Sequence, residues 1–191
     1  MKGIIERRHV GMPPEQVSYV VRLADGFVRL ALLASGAVAK NPRIDTASFL
    51  KRTDITQMMD AMLGDARNRR ALHVVAALSS VGWNGDREHE GMAIAKHFGL
   101  DWAEVRESVH QFHVKYGIAP LGGQLRYISP NPLGVFLMME AMEANPVAVR
   151  TLPSVLPSEP ARRAYYERLS SLVGAPNALP FAEKALAAVW R

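Results

Sequence analysis

The residues of this chain that could do chemistry are few and scattered. His110 and His113 stand three apart, a spacing that puts two imidazoles on one side of a helix, as in a pair of metal ligands. No carboxylate or third histidine is placed beside them by spacing, and His89 and His97 fall too far off to complete a set. The pair therefore reads as solvated histidines, and no metal site is assigned. There are no cysteines, which excludes disulfides, thiolate metal sites and cysteine nucleophiles. No phosphate-binding loop with lysine and Ser/Thr, no metalloprotease helix motif and no nucleophile elbow occurs. Gly122-Gly123 precedes a strand-like run rather than a helix, so it reads as a turn and not a phosphate cradle. No catalytic residue is assigned, and the chain is read as a non-enzyme.

Cations are the remaining candidates. Arg106, Lys115 and Arg126 could contact the phosphates of a nucleic acid. Across 101–116, however, Arg106 and Lys115 are set against Asp101, Glu104 and Glu107, and two minus three leaves −1. Each phosphate contact needs a cation, so packing against protein is favoured over binding DNA. The whole chain carries +5 over 191 residues, with a pI near 9.7, which permits a nucleic acid partner without requiring one. Hydrophobic residues at 49% and charged residues at 21% are those of a folded globular chain. No apolar run reaches the ~18 residues of a membrane helix, and the start, ending in Glu6-Arg7-Arg8, lacks a secretory apolar core. A cytoplasmic location without membrane contact is expected.

Helices must position these groups. Pro13-Pro14-Glu15 opens a first segment, carrying Val17, Val20, Val21 and Ala24 at helical spacing and closed by Gly26. Val28 to Ala39 forms a second, stopped by Asn41-Pro42. A third spans about 54–63, capped by Asp54, with Ile55, Met58, Met59 and Met62 inward and Gly64 at its end. Arg67 to Val81 reads as one helix, broken by Gly82-Trp83-Asn84-Gly85, and another covers about 87–98. Asp101 and Glu104 make an aspartate form of the capping box, with Leu100 and Val105 as staple, before a helix striped by Trp102, Val105, Val109, Phe112 and Tyr116. Ile118 to Ile128 then reads as a hairpin turning at Gly122-Gly123. Asn131-Pro132 restarts a helix as cap and first position, with Leu133, Phe136, Leu137, Ala141 and Met142 inward. The prolines at 153, 157 and 160 read as a stiff connector, followed by helices at about 160–173 and 179–190. The second of these ends at Trp190-Arg191 with no stop signal, which suggests a piece of a longer protein.

Helices, a tight Gly99-Leu100-Asp101 turn, a two-stranded hairpin and a closing helix, in that order, make a winged helix-turn-helix at about 67–145. Its third helix, about 102–116, is the one that would enter a major groove. The fold class expected is mainly α, a helical bundle at 1–65, the winged helix at 66–146, and a Pro-rich connector with C-terminal helices at 147–191.

Two stretches carry a resemblance. Leu23-Ala24-Asp25-Gly26-Phe27-Val28-Arg29-Leu30-Ala31-Leu32-Leu33 resembles the helical-lid segment of AAA+-related ATPases. Arg126-Tyr127-Ile128-Ser129-Pro130-Asn131-Pro132-Leu133 resembles the end of the winged helix in STAND-type NTPases. In that family a nucleotide-binding domain is followed by a lid, a winged helix and a sensor region. The resemblance implies a regulatory module that packs on its own nucleotide-binding and sensor domains. It implies nucleotide contacts at Gly26 and Arg29 once the P-loop domain is present, with ATP or ADP as that longer protein's ligand and no cofactor in this chain. The departures are the missing P-loop, Val28 where many members have proline, and no identifiable Met-His-Asp motif. The competing readings are a stand-alone winged-helix DNA-binding regulator using Arg106, Lys115 and Arg126, and an adaptor whose terminal helix docks on a protein partner.

Overall fold

The computed structural model describes residues 1–24, 26, 28–40, 53–64 and 69–172. The fold is mainly helical with a small three-stranded antiparallel sheet. Helices α1 (Lys2–Arg8), α2 (Pro14–Ala24) and α3 (Val28–Lys40) pack together, and α4 (Thr53–Leu63) follows. The rest are α5 (Arg70–Ala76), β1 (Val81–Gly82), α6 (Glu88–His97), α7 (Trp102–Tyr116), β2 (Leu121–Gly122), β3 (Leu125–Arg126), α8 (Asn131–Ala144), α9 (Pro146–Thr151) and α10 (Glu159–Ser170). The predicted stop at Asn41-Pro42, residues 67–68 and the predicted helix over 179–190 lie outside the described residues. So do the side chains of Asp54 and Arg29.

Two helices form the centre. Every residue from Ala71 to Leu78 is buried, as is every residue from Pro132 to Met139. A helix apolar on all sides must be covered on all sides. α5 packs on α8, and α6, α7, α9 and α2 close around this pair. The expected stripes are met in part. Val17, Val20 and Ala24 on α2, Ile55, Met58 and Met59 on α4, and Val105 and Val109 on α7 are buried. Val21, Met62, Trp102, Phe112 and Tyr116 are only partly buried against the core, and Leu63 rather than Met62 completes the α4 face.

Four local expectations are corrected. The helix expected over 67–81 ends at Ala76, and Val81–Gly82 becomes a strand pairing with β3. Gly82 suits that strand because a Cβ there would sit 2.1 Å from the Arg87 carbonyl. The hairpin turns at Gly123-Gln124, one residue later than the double glycine suggests, since Leu121 faces Arg126 and Gly122 faces Leu125. Gly123 supplies the left-handed residue at φ +63°. Asn131 is the first residue of α8 rather than its cap, and its side-chain oxygen accepts from Arg168. The stretch expected to be a connector holds the end of α9 and a 3-10 turn, Leu152–Ser154. Asn145, expected to end a helix, caps the next by accepting from the Ala148 amide at 3.2 Å. The sheet order is β1-β3-β2.

Candidate functional site

The helix that would read a groove is α7. Gly99 at φ +67° reverses the chain after α6, and Asp101 Oδ1 accepts from the Glu104 amide at 3.0 Å to start α7. Gly117 ends it by donating to the His113 carbonyl at 2.7 Å. The base of α7 is held by aromatic and ionic contacts. Trp102 meets Trp83 edge-on at 4.7 Å between centroids, and its Nε1–H donates to Glu88 Oε1 at 2.9 Å. Arg106 Nη1 donates to the same Glu88 oxygen at 2.6 Å. The edge of the Trp102 ring comes so close to α6 that a Cβ on Gly91 would meet it at 2.3 Å.

The three cations proposed from sequence are thus placed differently. Arg106 is half-exposed but paired with Glu88. Lys115 is exposed, with its ammonium 5.0 Å from the Tyr116 ring. Arg126 is buried, only 7% exposed; it lies over the Trp83 ring at 4.8 Å and donates to the Ala119 carbonyl at 2.6 Å. Burial first, and the charge of Arg106 second, push the Arg126 guanidinium below its ordinary pKa. Arg126 thereby braces the hairpin and presents little charge outward. The solvent face of α7 carries Glu104, Arg106, Glu107, His110, Val114 and Lys115. Val114 on that face is 71% exposed. His110 is exposed and His113 half-buried, and no group of three metal-ligating side chains occurs among the described residues. An open groove of ≈ 620 Å³ lies between α6 and the start of α7, floored by Met92, Ala93, Leu100 and Trp102 and edged by His89, Lys96 and Asp101.

A second cluster sits where α4 meets α5 and α8. Arg69, 2% exposed, precedes α5 and forks toward two carboxylates. Its Nε donates to Glu140 Oε2 at 3.0 Å and its Nη2 to Glu140 Oε1, a two-pronged pair. Its Nη1 donates to Asp60 Oδ1 at 2.8 Å and to the Gly64 carbonyl, both at the end of α4. The guanidinium also stands 5.7 Å from the Phe136 ring. His73 Nε2 lies 2.8 Å from Glu140 Oε2, and a carboxylate oxygen requires that nitrogen to be the donor. Burial alone would raise the Glu140 pKa. Hydrogen bonds from His73 and Arg69, with their charges, outweigh it and hold the group at about 2. For Arg69, burial lowers the pKa, but Glu140 and Asp60 overcome that and raise it.

Two further buried charges bind α10 to the rest. Arg168, 2% exposed, donates to Asn131 Oδ1 at 2.8 Å and to the Leu78 carbonyl at 3.4 Å. Its pKa is lowered by burial to about 10. Glu90, 1% exposed, accepts from the Gly82 amide at 3.1 Å, from Arg87 and from the Ser158 hydroxyl at 2.6 Å. Sequence reading missed these groups, although a signal was present. Glu140 interrupts an otherwise apolar run from Pro132 to Met142, and Arg168 falls on the stripe of Ala161, Ala164, Tyr165 and Leu172.

Gly26 lies between α2 and α3 at φ +92°, and Arg29 is the second residue of α3. No helix among the described residues is long and apolar enough to cross a membrane. Comparison with protein-family models, with curated proteins and with solved structures finds no match for this chain.

Proposed function

We propose that the chain is a non-catalytic coupling module, a helical lid followed by a winged helix, of the kind resembled in STAND-type NTPases. The order α5-β1-α6-α7-β2-β3 with sheet order β1-β3-β2 supports a winged helix. The observation that carries the choice of role is that two of the three candidate cations are committed within the chain, leaving Lys115 exposed. Arg126 is folded under the hairpin and Arg106 is paired with Glu88, while Glu104 and Glu107 face outward. Such a face suits packing on protein better than on a polyanion. In this role the module packs on its own nucleotide-binding and sensor domains and passes on nucleotide state by rearranging between two arrangements. ATP or ADP would be held by the P-loop domain, with Gly26 and Arg29 at the lid side.

Two measurements test this. An immunoblot of source-cell lysate with an antibody to this chain should show a band several times larger than 21.0 kDa. A band near that mass removes the fragment reading. Fluorescence anisotropy with mixed-sequence duplex DNA should show no strongly salt-dependent binding. Affinity that collapses between low and physiological salt favours the DNA-binding regulator instead.

A further inference from the structure

We infer that Arg69 is the pivot of a one-sided hinge, on which α4 can be released while α5 and α8 stay joined. The inference deepens the coupling role by naming where the module gives way, and rests on that role only for its purpose. The asymmetry is in the partners. On the side of α8, Arg69 holds Glu140 through two prongs, and Glu140, only 16% exposed, is further tied to His73 on α5. On the side of α4 it holds Asp60, a side chain 49% exposed, and the Gly64 carbonyl just past the helix end.

Opening the α4 side uncovers the apolar face of Ile55, Met58, Met59 and Leu63 but leaves no buried charge alone. Asp60 already faces water and gains full hydration, while Arg69 keeps its two-pronged carboxylate and its place against Phe136. Opening the α8 side would strand a guanidinium 2% exposed and part Glu140 from both of its donors, Arg69 and His73. One guanidinium thus makes a weak bond to one region and a strong bond to the other. A joint that must hold in one state and yield in another needs that difference, because only elements with two accessible arrangements transmit a signal. α2 also contacts α8, a link between the regions that does not run through Arg69 or α4.

The test is amide hydrogen exchange by mass spectrometry on the full chain. In Asp60→Asn, exchange over 55–63 should quicken roughly two- to fivefold, the change in opening equilibrium expected for a half-exposed ion pair. Exchange over 70–76 and 131–144 should not change. In Glu140→Gln, exchange should quicken across 55–63, 70–76 and 131–144 alike, by on the order of a hundredfold or more. Should Glu140→Gln fail to fold, Asp60→Asn alone decides. Unchanged exchange over 55–63, or an equal rise over α5 and α8, overturns the hinge. Neither outcome bears on the size of the native gene product, so this inference and the coupling role fail separately.

Discussion

Glu140 offers the sharpest test of how the buried charges hold this protein. It is 16% exposed and bonded by both Arg69 and His73, which keep its pKa at about 2 against an ordinary 4.5. At about 1.4 kcal/mol per pH unit, that depression corresponds to about 3 kcal/mol of stability at neutral pH. The sign follows from the direction. A carboxylate with a depressed folded pKa contributes fully above its unfolded pKa, so the contribution is whole above pH ~5 and lost as pH falls toward 2. Glu140→Gln removes the titration and leaves Arg69 with only the half-exposed Asp60 as a charged partner among the described residues. Loss of one member of a buried pair costs about 3–5 kcal/mol, in line with the pKa argument. Urea unfolding of both proteins at several pH values from 7 to 2.5 measures it. The wild type should exceed the variant by about 3 kcal/mol at pH 7, and the two should converge on acidification. A difference under about 1 kcal/mol at pH 7, or one that does not shrink toward pH 2.5, refutes the reasoning.

Other substitutions probe the packing around the proposed site. Gly134→Ala places a methyl 2.6–2.9 Å from the buried Arg168 guanidinium and should cost about 1–3 kcal/mol. Adding Arg168→Met, which removes that charged head, should return part of the loss, so a double-mutant cycle by urea unfolding should give a coupling of about 1 kcal/mol or more; additivity would show the two do not meet. Gly91→Ala drives a methyl into the Trp102 ring and should lower Tm by several degrees while altering tryptophan fluorescence. A variant with unchanged Tm would mean α6 and α7 are less tightly seated than described. Asp101→Ala removes the bond to the Glu104 amide and should cost about 1 kcal/mol by the same unfolding assay, with Asp101→Asn losing much less.

Much of the architecture is legible in the chain alone, for local reasons. The start of α7 is written in Asp101 and Glu104, and its stripe in Val105 and Val109, because capping and helical period act over a few residues. The hairpin is legible from Gly122-Gly123 to within one residue, since a tight turn needs a left-handed position wherever its strands lie. The end of α5 is not, because nothing in Arg67 to Val81 breaks a helix. Val81–Gly82 becomes a strand only because β3, more than forty residues later, offers a partner for its backbone groups.

The same division governs the charges. Composition and spacing already give α7 a nearly balanced charge. They do not indicate that Arg126 turns inward, that Arg106 is spent on Glu88, or that Arg69 draws Asp60 and Glu140 together from 9 residues before and 71 after. A side chain's period along its helix says which face it occupies, and only the packed neighbours decide what meets that face. For apolar residues the distinction matters little, since any apolar neighbour serves. For a buried ion everything depends on which opposite charge or dipole arrives, and that is fixed by the tertiary structure.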